Sequence, residues 1–381
     1  MKVVFLSNFF NHHQKPFSDE MFSLLGNNYV FISTDEIPEE RKKLGYREIT
    51  AEYAISIKHN KEQCERIIKD ADIVILGSAP YDLIKERIKE GKIVFKYSER
   101  PFKKGIEPLK YLPRLFKWRK EYPQNKKVYL LCASAYTSSD YSKLGLFKNR
   151  ALKWGYFPQT IKYDNLNEII KTKKKNSILW CGRLIDWKHP ESCIFVAKKL
   201  LEDGYDFQLN IIGMGDLKEE IKQRILENGL EKHVKFLGPM SPEQVREQME
   251  KSEIYLFTSN RQEGWGAVLN EAMNSACAVV SSHAIGSVPF LVQDGKNGLI
   301  FKSEDFDDLY KKVKYLLDNE EKKELISRSA YDTIINEWTS KVAAQRLLRV
   351  AENLLNGKCA FEFNSGPCSK AEKIKDNWFI I

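Results

Sequence analysis

The segment best equipped for chemistry is Gln262-Glu263-Gly264-Trp265-Gly266-Ala267-Val268-Leu269-Asn270-Glu271-Ala272-Met273. It follows an apolar run that reads as a strand, and it opens a helical pattern. Gly264 and Gly266 let a backbone come close to a ligand. A helix start presents N–H groups without acceptors at the positive end of the dipole, a setting that suits a diphosphate. Glu263, just before the helix, can accept hydrogen bonds from sugar hydroxyls. Glu271 falls about five residues into the helix, ~7.5 Å along its axis. That offset suits the ribose hydroxyls of the same nucleotide. The two carboxylates thus bracket a phosphate site. A glycine loop capped by a charged helix is the plainer reading, and the strand, both glycines and the helix together weigh against it.

Upstream lies Leu179-Trp180-Cys181-Gly182-Arg183-Leu184-Ile185-Asp186-Trp187-Lys188-His189-Pro190, again a strand, a tight loop and a helix start. Arg183 and Lys188 can both reach a diphosphate, arginine as a planar fork and lysine as a point charge. Basic residues near turns are common, so this segment alone says little. His189 reads as a helix-start residue rather than a ligand. Next comes Ile211-Ile212-Gly213-Met214-Gly215-Asp216. Gly213 and Gly215 after a strand suit a phosphate or ribose contact, or simply a tight turn; the third glycine of a dinucleotide fingerprint is missing. Gly286-Ser287-Val288-Pro289 and Asp294-Gly295-Lys296-Asn297-Gly298 are turn-rich, the second hairpin-like.

Elements that can position these loops recur along the chain. In the first half the strand candidates are residues 3–7, 29–33, 72–76, 92–97, 128–132 and 152–157; in the second, residues 178–181, 208–212, 234–237, 254–258, 278–281 and 299–301. Helical patterns lie between several of them, and strands alternating with helices imply parallel sheets covered on both faces. The fold expected is α/β, with two Rossmann-like doubly wound domains and an interdomain cleft at the carboxyl ends of the strands. We place the domains at residues 1–160 and 161–356, with a tail of residues 357–381 folding back on the first domain to bury its aromatics. The polar stretch 162–176, ending in the basic run 171–175, reads as a connection or an interdomain surface.

A length of 381 residues exceeds one ordinary core. No apolar run reaches the roughly 20 residues of a spanning helix, so a cytoplasmic location is expected. Seven scattered cysteines without a Cys-x-x-Cys pair argue against a disulfide framework and against zinc. The net charge of +9 is uneven, because residues 1–165 carry 30 Lys/Arg against 20 Asp/Glu. Residues 100–127 alone hold ten basic and two acidic side chains, interleaved with Phe102, Tyr111, Leu112, Leu115, Phe116 and Trp118. Such a mixture suits an anionic surface: a phosphorylated lipid, a membrane or a nucleic acid, the membrane being preferred, with Leu115, Phe116 and Trp118 entering its interface. A solvated basic face is the alternative.

Taken in order, the motifs of residues 178–355 resemble family 4 of the retaining GT-B glycosyltransferases. The resemblance rests on Gly182/Arg183/Lys188, Gly213/Gly215, Ser259 with Glu263/Gly264/Gly266/Glu271, Asp294/Gly295/Asn297/Gly298, and Glu337-Trp338. It implies a nucleotide-sugar donor, UDP-linked by default and GDP-linked as the alternative, with retention of anomeric configuration. It also implies no metal or other cofactor. Glu263, Arg183 and Lys188 are the catalytic candidates; Gly182, Gly213, Gly215, Ser259, Gly264, Trp265, Gly266, Ala267 and Glu271 are the donor-binding ones. The acceptor expected is a glycan or lipid-linked glycan, with no role for nucleic acid.

The first half matches less well. Where many members carry a Gly-Gly pair, this chain has Ser7-Asn8-Phe9-Phe10-Asn11-His12-His13-Gln14. That loop still follows the first strand, so His12 and His13 can touch donor phosphate or acceptor, His13 as a catalytic candidate and His12 as a donor-binding one; loop histidines with structural hydrogen bonds are the alternative. Tyr97-Ser98-Glu99-Arg100 lacks the histidine common there, and Phe290 stands where a glutamate usually follows the proline. The rival readings are another GT-B enzyme, an epimerase or phosphorylase, and a non-catalytic sugar-nucleotide or membrane-binding protein.

Overall fold

The computed structural model describes residues 1–39 and 48–379. The described residues form two compact units, and each is described by itself. The first comprises Met1–Gln159 with Trp338–Lys375, the second Thr160–Glu337 with Asp376–Ile381.

The first unit holds a seven-stranded parallel sheet: β1 (Val3–Ser7), β2 (Tyr29–Ser33), β3 (Ala54–Ser56), β4 (Ile73–Leu76), β5 (Ile93–Ser98), β6 (Val128–Cys132) and β7 (Ala151–Lys153). Their order is β3-β2-β1-β4-β5-β6-β7. Every residue of β1 and β4 is buried, as their unbroken apolar runs require of strands covered on both faces. The second unit repeats the design with six parallel strands: β8 (Lys174–Cys181), β9 (Gln208–Ile212), β10 (Val234–Gly238), β11 (Ser252–Phe257), β12 (Ala278–Ser282) and β13 (Leu299–Phe301). The order is β10-β9-β8-β11-β12-β13. Both sheets are doubly wound, and in each the order reverses beside the first strand: between β1 and β4, and between β8 and β11. Loops diverge at that switch point and leave a crevice for ligands.

Three features differ from the sequence expectation. The stretch 162–176 is structured rather than a bare connection. Asn165 caps a helix over Leu166–Thr172 by accepting the Asn167 amide at 3.0 Å. The Lys173 ammonium then donates to the carbonyls of Met249, Glu250, Ser252 and Ser275 at 2.8–3.2 Å, and β8 begins at Lys174. Second, the helix Ser340–Leu355 groups with the first unit, where it packs on the helix Lys15–Leu25. Buried Trp338 stacks on Phe157 there, ring centroids 6.4 Å apart.

Third, the tail divides. Residues 368–371 exchange backbone bonds of 2.7–3.0 Å with residues 151–153, covering the open edge of β7. Trp378 and Phe379 instead meet His283 of the second unit. All seven cysteines are free thiols.

Candidate functional site

β8 ends at Cys181 and β11 at Phe257, the two strands beside the switch point of the second sheet. The loops that leave them are tied together. Trp180 donates its indole N–H to the Thr258 hydroxyl at 2.8 Å, and that hydroxyl donates to the Lys188 carbonyl at 2.6 Å. The Asn260 amide donates to the Trp187 carbonyl at 3.0 Å. The short 3-10 turn Asp186–Lys188 is therefore pinned over the end of β11.

This frame brings Lys188 onto Glu263. The ammonium is ion-paired with Oε2 of the carboxylate, and the two side chains are only 14% and 12% exposed. Buried Ser259 donates its hydroxyl to the same oxygen at 3.1 Å. Lys188 also lies 4.7 Å from the centre of the Trp187 ring, and the exposed Arg183 guanidinium lies 5.6 Å from that ring. One indole thus carries both cations. A carboxylate, two cations and a buried hydroxyl converge at the carboxyl ends of β8 and β11.

The glycines let these loops meet. Gly213 has φ +145°, and a Cβ on it would sit 1.8 Å from the Gly182 carbonyl oxygen, so any side chain would drive the two loops apart. Around it the Gly182 amide donates to Ile212 and the Leu184 amide to Met214, at 3.0 and 2.8 Å. Gly215 sits in the same turn, against Leu184. Gly266 has φ +79°, and a Cβ on it would be 2.2 Å from Cζ of Phe257. The helix after it runs over Val268–Asn274, so Glu271 stands in its first turn rather than five residues in. Among the described residues the amides of Gly266 and Ala267 donate to no acceptor.

Glu271 is half-buried, and burial raises its carboxyl above the ordinary range, offset in part by Arg246. It lies near the end of β8: burial and then its charge push the Cys181 thiol up to about 12, opposed by Lys188. Arg246, which no sequence motif marked, holds that helix from outside. It donates to the Glu271 carbonyl, Asn274 and Ser275 at 2.9–3.2 Å.

Trp265 does not present its ring to a ligand. The indole is fully buried and donates to Asn270 Oδ1 at 2.9 Å. A large apolar ring between two glycines fills the core beneath the loop and is tied through Asn270 to the helix Val268–Asn274. Gly264 shares that buried loop. His189 occupies a left-handed turn and bonds Glu191 at 2.8 Å. The Asp294–Gly298 segment is a turn held by Asn297, which accepts the Gln293 amide at 2.7 Å.

His12 and His13 belong to the first unit. Their rings lie 4.0 Å apart, and His13 stacks on Tyr156 at 5.7 Å. Tyr156 donates to Glu99 at 2.8 Å. These residues stand beside a cavity of about 280 Å³ at the switch point between β1 and β4, lined by Ser7, Gln14, Lys96, Ser98, Glu99 and Tyr156. Lys96 donates to the Gly77 carbonyl at 3.0 Å, and burial, opposed by Glu121, pulls its ammonium down to about 8. Sequence reasoning noticed Glu99 only as a missing histidine and did not single out Lys96.

Two doubly wound parallel-sheet domains of this order form the GT-B fold. HepE of Anabaena, solved in complex with UDP, superposes with a TM-score of 0.68 at 14% identity, covering 93% of this chain and 100% of that one. Residues 163–333 match the family described as glycosyl transferases group 1. An uncharacterized glycosyltransferase of Methanocaldococcus jannaschii is 28% identical over 194 residues, 50% of this chain and 50% of that protein. A Campylobacter jejuni transferase is 29% identical over 178 residues, 46% of each chain; its name describes adding α-1,4-linked N-acetyl-D-galactosamine to a glycan on undecaprenyl diphosphate. The chain spans about half the length of the curated relatives it matches.

Proposed function

We propose that this protein is a retaining, metal-independent glycosyltransferase. It moves a sugar from a nucleotide-sugar donor, UDP-linked in the first instance, to a glycan or lipid-linked glycan. The observation that carries the reading is the Lys188–Glu263–Ser259 cluster with Arg183, at the switch point of the domain that matches the group 1 family. The UDP in HepE and the lipid-linked acceptor in the name of the Campylobacter transferase support the choice of substrates.

The chemistry follows from charge. Departure of a nucleoside diphosphate leaves negative charge on the bridging oxygen. Lys188 and Arg183 stabilise it, with the amides of Gly266 and Ala267 beside them. The diphosphate competes with Glu263 for the Lys188 ammonium, and the carboxylate released in this way accepts hydrogen bonds from the sugar hydroxyls. Glu271 accepts from the ribose. With the cations filling the charge-stabilising role, no metal is needed there. Retention follows from front-face attack, in which the leaving phosphate oxygen takes the acceptor's proton. His12 and His13, with the cavity beside them, belong to the acceptor side. The reaction is placed in the cytoplasm, at the inner face of a membrane that carries the acceptor.

A thermal-shift screen of UDP, GDP and ADP tests the donor side, because a ligand at about 100 times its Kd stabilises by about 2.7 kcal/mol. One nucleotide should raise the melting temperature, and Lys188→Ala should remove the shift. The reading fails if no nucleotide shifts the protein, or if the shift survives in both Lys188→Ala and Arg183→Ala. Isomerisation of the donor without acceptor would indicate an epimerase.

A further inference from the structure

The helix Pro108–Glu121 of the first unit has 14 residues, and none of its side chains is buried. One face nevertheless holds it in place. Tyr111 donates to the Lys143 carbonyl at 2.8 Å and Arg119 to the Leu144 carbonyl at 3.0 Å. Trp118 packs on Tyr141 with ring centroids 5.3 Å apart, and Arg114 lies over both Trp118 and Phe102. The opposite face is apolar and open: Leu109, Leu112 and Phe116 are 93%, 58% and 68% exposed, and Ile106 just before the helix is 45% exposed.

At about 100° per residue, Leu109, Leu112 and Phe116 fall within an arc of roughly 60°. Lys120 continues the same arc one turn on, and Lys110 and Lys117 lie together on one side of it, about 80–100° from Leu109. The sequence expectation chose Leu115, Phe116 and Trp118 as the apolar edge. Only Phe116 is on it, because Trp118 is spent on Tyr141 and Leu115 is half-buried. Arg100 likewise leaves the basic surface, since it is 2% exposed and paired with Asp140 at 3.2 Å.

A stripe of large apolar side chains on water is costly unless something covers it. The flanking charge says what. Lys104, Lys110, Lys117 and Lys120 are exposed around the stripe; Lys110 is ion-paired with Glu107 at 2.5 Å and Lys117 with Glu121 at 3.8 Å, and these two glutamates are the acidic residues of this stretch, which keeps a net positive charge. Amphipathic helices with an apolar face and a basic rim lie in the plane of anionic lipid, apolar side chains in the acyl boundary and ammonium groups at the headgroups. Among the described residues no helix is long and apolar enough to cross a membrane, so contact of this kind is interfacial.

We propose that Pro108–Glu121 is an interfacial helix that seats the first unit on an anionic bilayer through Leu109, Leu112 and Phe116, with Lys110, Lys117 and Lys120 at the headgroups. It rests on the proposed function only for its purpose, delivery of a lipid-borne acceptor; the surface itself stands on exposure and charge. The test is co-sedimentation of the full chain with phosphatidylcholine vesicles and with phosphatidylcholine–phosphatidylglycerol vesicles, at low and high salt. Two variants accompany it: Leu109→Ser/Leu112→Ser/Phe116→Ser, and Lys110→Glu/Lys117→Glu/Lys120→Glu. Arg119 is left alone because its bond to Leu144 holds the helix. The nucleotide-induced thermal shift of each variant checks folding and isolates a failure of this surface from a failure of the donor site.

The parent should pellet only with anionic vesicles and release at high salt, and each variant should bind at least about tenfold more weakly while keeping its nucleotide shift. Equal pelleting with neutral vesicles, no pelleting, or unchanged binding of the serine variant overturns the proposal. So does self-association of the parent that the serine variant abolishes, which would give the face to a second copy of the chain.

Discussion

Gly266 offers a quantitative probe of the loop that carries Glu263. Its φ is +79°, and that of Gly295 in the Asp294–Gly298 turn is +74°. Alanine at either position suffers the left-handed penalty, about 1–2 kcal/mol. The surroundings differ. A Cβ at Gly295 meets nothing within 4 Å, whereas one at Gly266 would lie 2.2 and 2.9 Å from Cζ and Cε1 of buried Phe257. Overpacking of that kind adds about 1–3 kcal/mol. Gly266→Ala should therefore destabilise by about 2–5 kcal/mol and Gly295→Ala by about 1–2 kcal/mol.

In a domain of this size each kcal/mol moves Tm by about 2–4 °C, so calorimetry separates the two variants. Nucleotide affinity should fall by about tenfold in Gly266→Ala only, the worth of one hydrogen bond to a charged group. Phe257→Leu removes the atoms that clash. The double variant Gly266→Ala/Phe257→Leu should accordingly lose at least about 1 kcal/mol less than the two single losses combined. Equal Tm values for the two alanine variants, or strict additivity in the double variant, would refute the close approach of this loop to β11.

Other expectations concern charge. Arg183→Ala and Lys188→Ala should each lower turnover by about 10² or more, as loss of one transition-state donor does; initial-rate kinetics on the folded variants decide it. EDTA should leave the rate unchanged, whereas strict Mg²⁺ dependence would contradict the role given to the two cations. Glu271→Gln tests the raised carboxyl. A carboxyl with a folded pKa above its unfolded one contributes stability below the unfolded value and loses it as pH rises through the folded one. Glutamine has no such loss, so Tm of Glu271→Gln relative to the parent should increase from pH 4.5, the ordinary carboxylate value, to neutrality, while nucleotide binding weakens. A difference in Tm that does not change with pH contradicts the burial argument.

The central strands β1, β4 and β12 were legible because they are buried on both faces and so read as continuous apolar runs. β3 escaped because Ala54–Ser56 is three residues long and half-buried, with no such run. The glycine loops were legible for steric reasons: only glycine fits at residue 213, against the Gly182 carbonyl, and at residue 266, against Phe257. Pattern failed where a residue's part is set by distant partners. The polar stretch 162–176 resembled a connection or an interdomain surface, yet Lys173 within it is enclosed by four carbonyls from three other segments. Trp265, placed between two glycines, looked ready for a ligand, but its ring fills the core and bonds Asn270. Nothing local in Ser340–Leu355 says which sheet it packs beside. The choice is made by long-range contacts with the helix Lys15–Leu25 and through Trp338 with Phe157.

The central claim is that Glu263 and its cationic neighbours hold a nucleotide-sugar for transfer with retention. The direct measurement is acceptor-dependent release of nucleoside diphosphate from a panel of nucleotide sugars with lipid-linked glycan acceptors, with NMR of the product's anomeric configuration. The account predicts release with one donor, a product with the donor's own anomeric configuration, and no turnover in folded Glu263→Ala. Full turnover by Glu263→Ala, or an inverted product, would contradict it.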